Sequence, residues 1–185
     1  MIIETENTPN PDTLKFLPGQ IVSEVGPLEI SKKDKFIKIS LANKILSIEG
    51  TAMVFFGEDF ITVKKEKNLN WEDLKHGIIS EINEYYSKGN NVVIKKDQIK
   101  SSLEPKLKDS NEVVNKINEI LDSRIRPAVA RDGGDITFKS FKDGVVTVEL
   151  KGSCSGCPSS IMTLKQGVQN LLCHYINEVK SVEAF

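Results

Sequence analysis

The chain holds three cysteines, and two of them, Cys154 and Cys157, stand close together in KGSCSGCPSS (151–160). A thiol pair at this spacing can serve as a redox dithiol, as metal ligands, or as part of an ordinary turn. A strand ending at Leu150 and a helix starting near Pro158–Ser160 are predicted on either side of it. The start of a helix carries unpaired N–H groups and partial positive charge, which favour a thiolate over a thiol. Gly152 and Gly156 lack a Cβ, so the loop can bend tightly and bring backbone donors near sulfur.

Two sulfurs do not complete the coordination shell of a zinc ion or of an iron–sulfur cluster. Cys173 lies far along the last predicted helix, about 20 Å from its start at 1.5 Å per residue. The wheel puts Leu164, Val168, Leu171 and Tyr175 on the apolar side, with Cys173 pointing away from it. His76 falls in the other half of the chain and His174 neighbours Cys173, so neither has ligand spacing to Cys154. A second copy across a twofold axis would bring the count to four thiolates. That set closes either a [4Fe–4S] cluster or a tetrahedral S₄ zinc site. A cluster held this way is lost when the subunits part or another thiolate intrudes, which suits transient carriage.

Composition narrows the rest. With 185 residues the chain has room for one large domain or two small ones, and 39% hydrophobic with 28% charged residues is ordinary for a globular protein. A net charge of −1 implies no bulk attraction to nucleic acid or an anionic membrane. The clusters KKDK (32–35) and KKEK (64–67) each carry their own acid and read as solvated faces. No apolar run is long enough to span a bilayer. MIIETENTPNP has neither a basic start nor an apolar core, and Glu4 and Glu6 argue against a transit peptide. A cytoplasmic protein of bacterial type is therefore expected, in a reducing compartment where paired cysteines read as metal-binding or catalytic before they read as a disulfide.

Hairpins and helices alternate in two blocks, so the predicted class is α+β: two small domains, 1–86 and 110–185, joined by a polar linker at 87–109. In the first block Leu14, Phe16 and Ile21 suggest short early strands after the turn-rich TPNP stretch. A helix capped by Ser40 stops at Gly50, and a hairpin turns at Gly57-Glu58-Asp59. A second helix follows, capped by Asn70, with Leu74, Ile78, Ile82 and Tyr85 as its buried stripe. The linker is rich in lysine and serine, with a brief extended piece at Val92–Ile94. In the second block Asp109 and Glu112 have capping-box spacing, and Val113, Ile117, Ile120, Leu121 and Ile125 recur at helical period until Pro127 breaks or redirects the chain. A hairpin then places Ile136, Phe138 and Ser140 opposite Val146, Val148 and Leu150 across the turn Lys142-Asp143-Gly144, and KSVEAF ends the chain as a strand.

The stretch 125–172 closely resembles the C-terminal domain of NifU-like (Nfu) iron–sulfur proteins. The resemblance is carried by Arg126-Pro127, Asp132-Gly133-Gly134-Asp135, and Gly152-x-Cys154-x-x-Cys157-Pro158-Ser159-Ser160 followed by Thr163-Leu164-Lys165. TPNPDTLKFLPG (8–19) and VFFGEDFITVKK (54–65) resemble the accompanying Nfu N-terminal domain. The resemblance implies that Cys154 and Cys157 hold a [4Fe–4S] cluster shared in a cluster-bridged homodimer. The spacing itself leaves [2Fe–2S] open. It further implies a non-enzymatic carrier that receives the cluster from an upstream scaffold and passes it to apo iron–sulfur recipient proteins. The N-terminal domain would help to recognise partners. Two other readings of the thiol pair stay open: a thiol–disulfide oxidoreductase, and a zinc-bridged adaptor dimer. Asp132 and Asp135 are expected to bond local backbone around a Gly133-Gly134 turn rather than to form a hard-metal or acid–base site. Trp71, Phe55 and Phe56 read as core, and Met162 as either packing or shielding the sulfurs.

Overall fold

The computed structural model describes residues 2–34, 39–95, 112–156 and 158–185, the side chains of 158–160 excepted. Two compact units divide the chain, Met1–Lys100 and Ser101–Phe185, and both are α+β as the sequence predicts. Of the expected linker, residues 96–109 lie outside the described residues, as does the Asp109 of the capping box. No helix among the described residues is long and apolar enough to cross a membrane.

The first unit comprises β1 (Glu4–Asn7), β2 (Thr13–Leu17), β3 (Leu28–Ser31), α1 (Ser40–Ser47), β4 (Thr51–Phe56), β5 (Ile61–Lys65) and α2 (Trp71–Ser87). Its strands form one antiparallel sheet in the order β1-β2-β5-β4-β3. The register stacks Leu14 and Val54 beside Val63, and Phe16 and Phe56 beside Ile61. Because side chains alternate along a strand, these residues share the face that meets the helices. Leu41, Ala42, Ile45 and Leu46 of α1, with Leu74, Ile78, Ile82 and Tyr86 of α2, complete the same core. The stripe on α2 therefore keeps strict four-residue spacing and ends on Tyr86 rather than Tyr85. Tyr85 stays half-buried and donates its hydroxyl to the Val92 carbonyl at 3.1 Å.

Several local expectations change. Ser40 is the first helical residue of α1, not its cap, and Ile39 takes the cap position. Ile21 is 55% exposed and outside any strand, whereas Val22 beside it is buried. The extended piece at Val92–Ile94 exists, but it belongs to this unit: Val93 and Ile94 are buried, and their N–H groups donate to the Val22 carbonyl at 3.0 and 3.1 Å. Apolar side chains inside a polar segment were enough to bring it back onto the core. TPNP is a turn, as predicted. The Asp12 N–H donates to Asn10 Oδ1 at 3.1 Å, Lys65 pairs with Asp12 at 2.9 Å, and Trp71 Nε1 donates to the Pro11 carbonyl at 3.1 Å.

The second unit comprises α3 (Glu112–Ile120), a π turn over Leu121–Ile125, α4 (Arg126–Arg131), β6 (Gly134–Lys142), β7 (Val145–Gly152), α5 (Pro158–Tyr175) and β8 (Ser181–Ala184). The three strands lie in the order β6-β7-β8, with β8 parallel to β7. Pro127 does not break the helix. The chain widens over Leu121–Ile125 until the Arg126 N–H meets the Leu121 carbonyl five residues back, and Pro127 falls in the first turn of α4. There a missing N–H leaves no bond unmade.

The β6–β7 turn is tighter than expected. Asp143 and Gly144 have φ of 52° and 86°, the two-residue turn whose twist matches its strands, so Lys142 is still strand. A bulge between Phe138 and Ser140 then brings Phe141, not Ser140, opposite Val146. On α5 the buried line is Val168 and Leu172, continued by Ile176 beyond the helix. Tyr175 is 48% exposed, its ring under the Arg124 guanidinium, and Cys173 is half-buried against the core rather than turned away from it.

Arg126 braces this unit. Its Nε donates to the Ile136 carbonyl at 3.1 Å and lies 3.2 Å from Asp135 Oδ1, while Nη1 pairs with Asp122 at 2.9 Å. Asp135 thus pairs with an arginine across the fold, beyond the local backbone role expected of it. Replacement Arg126→Ala is expected to cost about 2–4 kcal/mol in urea unfolding, because it removes the guanidinium that faces a buried carboxylate. Arg126→Lys should restore only part, since an ammonium cannot span the same three acceptors.

Tyr86 supplies a pH signature for the first unit. Burial, with a smaller contribution from Tyr85, pushes its phenol up to about 12. The folded state therefore holds this proton more tightly than the unfolded chain does. The resulting stability is complete below about pH 10 and is lost as pH rises through about 12. Denaturant midpoints measured across that range should fall less steeply in Tyr86→Phe than in the native chain.

Candidate functional site

Cys154 lies just beyond the end of β7, on the turn that leads into α5. Cys157 lies outside the described residues, so the geometry of the site is that of Cys154 and its surroundings. Cys154 is 5% exposed and part of the apolar core of its unit together with Ile117, Val129 and Leu150. The glycines on either side have positive φ, 67° at Gly152 and 73° at Gly156, and so supply the tight bend expected of them.

The floor of the site comes from Asp132-Gly133-Gly134. α4 ends into this turn, with the Asp132 N–H on the Ala128 carbonyl at 3.3 Å and the Gly133 N–H on the Ala130 carbonyl at 3.0 Å. Gly133 turns at φ 81°, a conformation that disfavours any side chain. Gly134 has no such φ, so its reason is different. A Cβ built there would stand 2.5 Å from the Lys151 carbonyl oxygen and 2.9 Å from Cys154 Sγ. The sulfur occupies space that any other residue at 134 would take.

Ser153 clasps the two segments together. It is 1% exposed, its N–H donates to the Gly133 carbonyl at 3.2 Å, and its hydroxyl donates to the Asp132 carbonyl. The same hydroxyl lies 3.8 Å from Cys154 Sγ. Asp132 therefore contributes its backbone to the site. Neither the seat at Gly134 nor the clasp at Ser153 was anticipated. A signal existed, because a turn needs only one of the two adjacent glycines, and the second marks a close approach.

The remaining candidates stand apart. His76 is exposed on α2 in the first unit, and His174 is exposed on α5 with its ring against Tyr175. Met162 is 75% exposed and so does not pack into the core. Among the described residues, no three His, Cys, Asp or Glu side chains converge as a metal site.

Comparison with known proteins matches residues 117–183 to the NifU-like domain and residues 3–89 to the family described as scaffold protein Nfu/NifU N terminal. A human protein named NFU1 iron-sulfur cluster scaffold homolog, mitochondrial, is 45% identical over 184 residues, covering 99% of this chain and 71% of its own length. NifU-like protein 4, mitochondrial, of Arabidopsis thaliana is 42% identical over 185 residues, covering 99% of this chain and 65% of its own. A Drosophila persimilis protein with the human protein's name is 44% identical over 184 residues, covering 99% and 64%. This chain thus spans about two thirds of the length of such relatives.

These relatives overturn the expected cytoplasmic, bacterial-type localisation, since all three are mitochondrial proteins matched along nearly the whole of this chain. The expectation drew a compartment from the composition of eleven opening residues, which speaks only for those residues. With both of its regions matched and 45% identity to a relative it covers by 71%, the chain belongs to the Nfu family of NifU-like proteins.

Proposed function

We propose that this protein is an iron–sulfur cluster carrier whose cargo is held by Cys154 and Cys157. The observation that carries this reading is the 45% identity, over 99% of the chain, to a protein named as an iron–sulfur cluster scaffold. The donor chemistry agrees. Thiolates are the usual ligands of such clusters, and Cys154 stands on a turn bounded by positive-φ glycines. Each chain brings two sulfurs in this motif, half of a four-thiolate shell, so a cluster-bridged homodimer completes it. The cargo is a [4Fe–4S] cluster, or a [2Fe–2S] cluster held by the same four sulfurs.

Delivery needs no redox step. A thiolate of an apo-protein recipient replaces a cysteine thiolate on iron, and the departing thiolate takes up a proton, with the formal charges of iron and sulfide unchanged. An upstream scaffold loads the carrier by the same exchange in reverse. The protein on this reading is not an enzyme. Residues 110–185 hold the cargo, and the N-terminal region, whose core takes in Val93 and Ile94, recognises partners.

Anaerobic reconstitution with iron and sulfide should give a brown protein with about four irons per dimer. Cys154→Ser and Cys157→Ser should each abolish retention, whereas Cys173→Ser should keep it. Iron and sulfide analysis of the three variants decides this. A colourless product with dithiol-reductase activity, or tight zinc retention without iron uptake, would refute the proposal. Light scattering should show a monomer before loading and a dimer after it, and a tight apo dimer would count against a bridging cluster.

A further inference from the structure

Cys154 presents a difficulty for any cargo shared between subunits. A sulfur that bonds to iron outside its own subunit has to reach the surface, yet this residue is 5% exposed and built into the core. We propose that Gly134 and Ser153 are positioning residues that hold Cys154 in a closed, protected state, and that loading requires the Ser153 clasp to open. This inference rests on the carrier reading above.

The parts of such a device are present. The seat is rigid, because α4 runs directly into the Asp132–Gly133 turn through two backbone bonds. The sulfur fits it closely, since the space beside Gly134 admits Sγ but not an additional carbon. The fastening is short and local: the Ser153 N–H on the Gly133 carbonyl and the Ser153 hydroxyl on the Asp132 carbonyl. Gly152 and Gly156 flank the segment with backbone that few other residues adopt. Rotation about these two points lifts residues 153–155 from the seat while β7 stays paired. Opening exposes the thiol to iron or to a recipient, and closure buries it again after the cluster leaves.

The device makes a reactivity prediction that does not depend on iron. In the full-length apo-protein, iodoacetamide labelling followed by peptide mass spectrometry reads Cys154 and Cys173 separately. Native Cys154 should react about tenfold or more slowly than in urea-unfolded protein, because it reacts only from the open state. Ser153→Ala should speed Cys154 by roughly fivefold, the factor expected for one buried hydrogen bond, and leave Cys173 unchanged. Initial iron–sulfide uptake should quicken in the same variant.

Native Cys154 reacting at its unfolded rate would overturn the closed state without recourse to any variant. A Ser153→Ala protein with unaltered Cys154 labelling, or with both cysteines accelerated alike, would overturn the clasp. If labelling responds as described but the native protein retains no iron or sulfide, the clasp stands and the carrier reading falls. If the native protein loads a cluster while Ser153→Ala labels like the native chain, the carrier reading stands and the clasp falls.

Discussion

With the clasp closed, the close approach of Cys154 Sγ to Gly134 constrains how the ends of β6 and β7 meet the end of α4, because it leaves no room for a further carbon. A single carbon added at 134 would collide with both the sulfur and the Lys151 carbonyl oxygen. The strands must therefore hold their register to the end, where Gly134 faces Gly152, and α4 must deliver the Asp132–Gly133 turn at the right height. Arg126, the first residue of α4, bonds both Asp135 and the Ile136 carbonyl, so the start of the helix and the start of β6 move together. The Arg-Pro pair has two physical tasks here. Arginine braces the sheet, and proline occupies the first turn of α4, where its missing N–H leaves no helical bond unmade.

Charge is distributed so that the thiol side stays apolar. The core face of the sheet carries Ile136 and Leu150, whereas Asp135, opposite Lys151, turns away from it and pairs with Arg126. The opposite face of the sheet carries Glu149 between Lys139 and Lys151, at 2.8 and 3.3 Å. Burial alone would push the Glu149 carboxyl up, but hydrogen bonds and charge from the two lysines bring it below its usual value. Apolar residues on one face and ion pairs on the other are the ordinary means by which a small antiparallel hairpin chooses its inner side.

The first unit is built on a five-stranded sheet in the order β1-β2-β5-β4-β3. Its core is continuous from Phe16 through Phe56 to Ile82, and the return of Val93 and Ile94 adds buried surface beyond the last helix. The β1–β2 turn is tied to the end of β5 by the Lys65–Asp12 salt bridge and to the start of α2 by the Trp71 indole N–H. Trp71 thus acts as a polar tether as much as a core residue, a dual use open to a side chain with one donor on an apolar ring.

Periodicity and punctuation made the α+β class, the two blocks, both hairpins and the long helices legible in the sequence, since those features depend on near neighbours. The paired thiols and the family were legible too, because they are matters of residue type and spacing. Facing was harder. The stripe on α2 slid from Tyr85 to Tyr86, the one on α5 from Leu171 and Tyr175 to Leu172 and Ile176, and a bulge exchanged Ser140 for Phe141. Each error is about one residue, the margin that a helical turn or a β-bulge can hide. The second glycine of Asp132-Gly133-Gly134-Asp135 signals a close approach, but that the approaching group is Cys154 belongs to the tertiary structure. Residues 134 and 154 are brought together by strand register and by a helix end, and no local pattern reports how near a sulfur will come to a missing side chain.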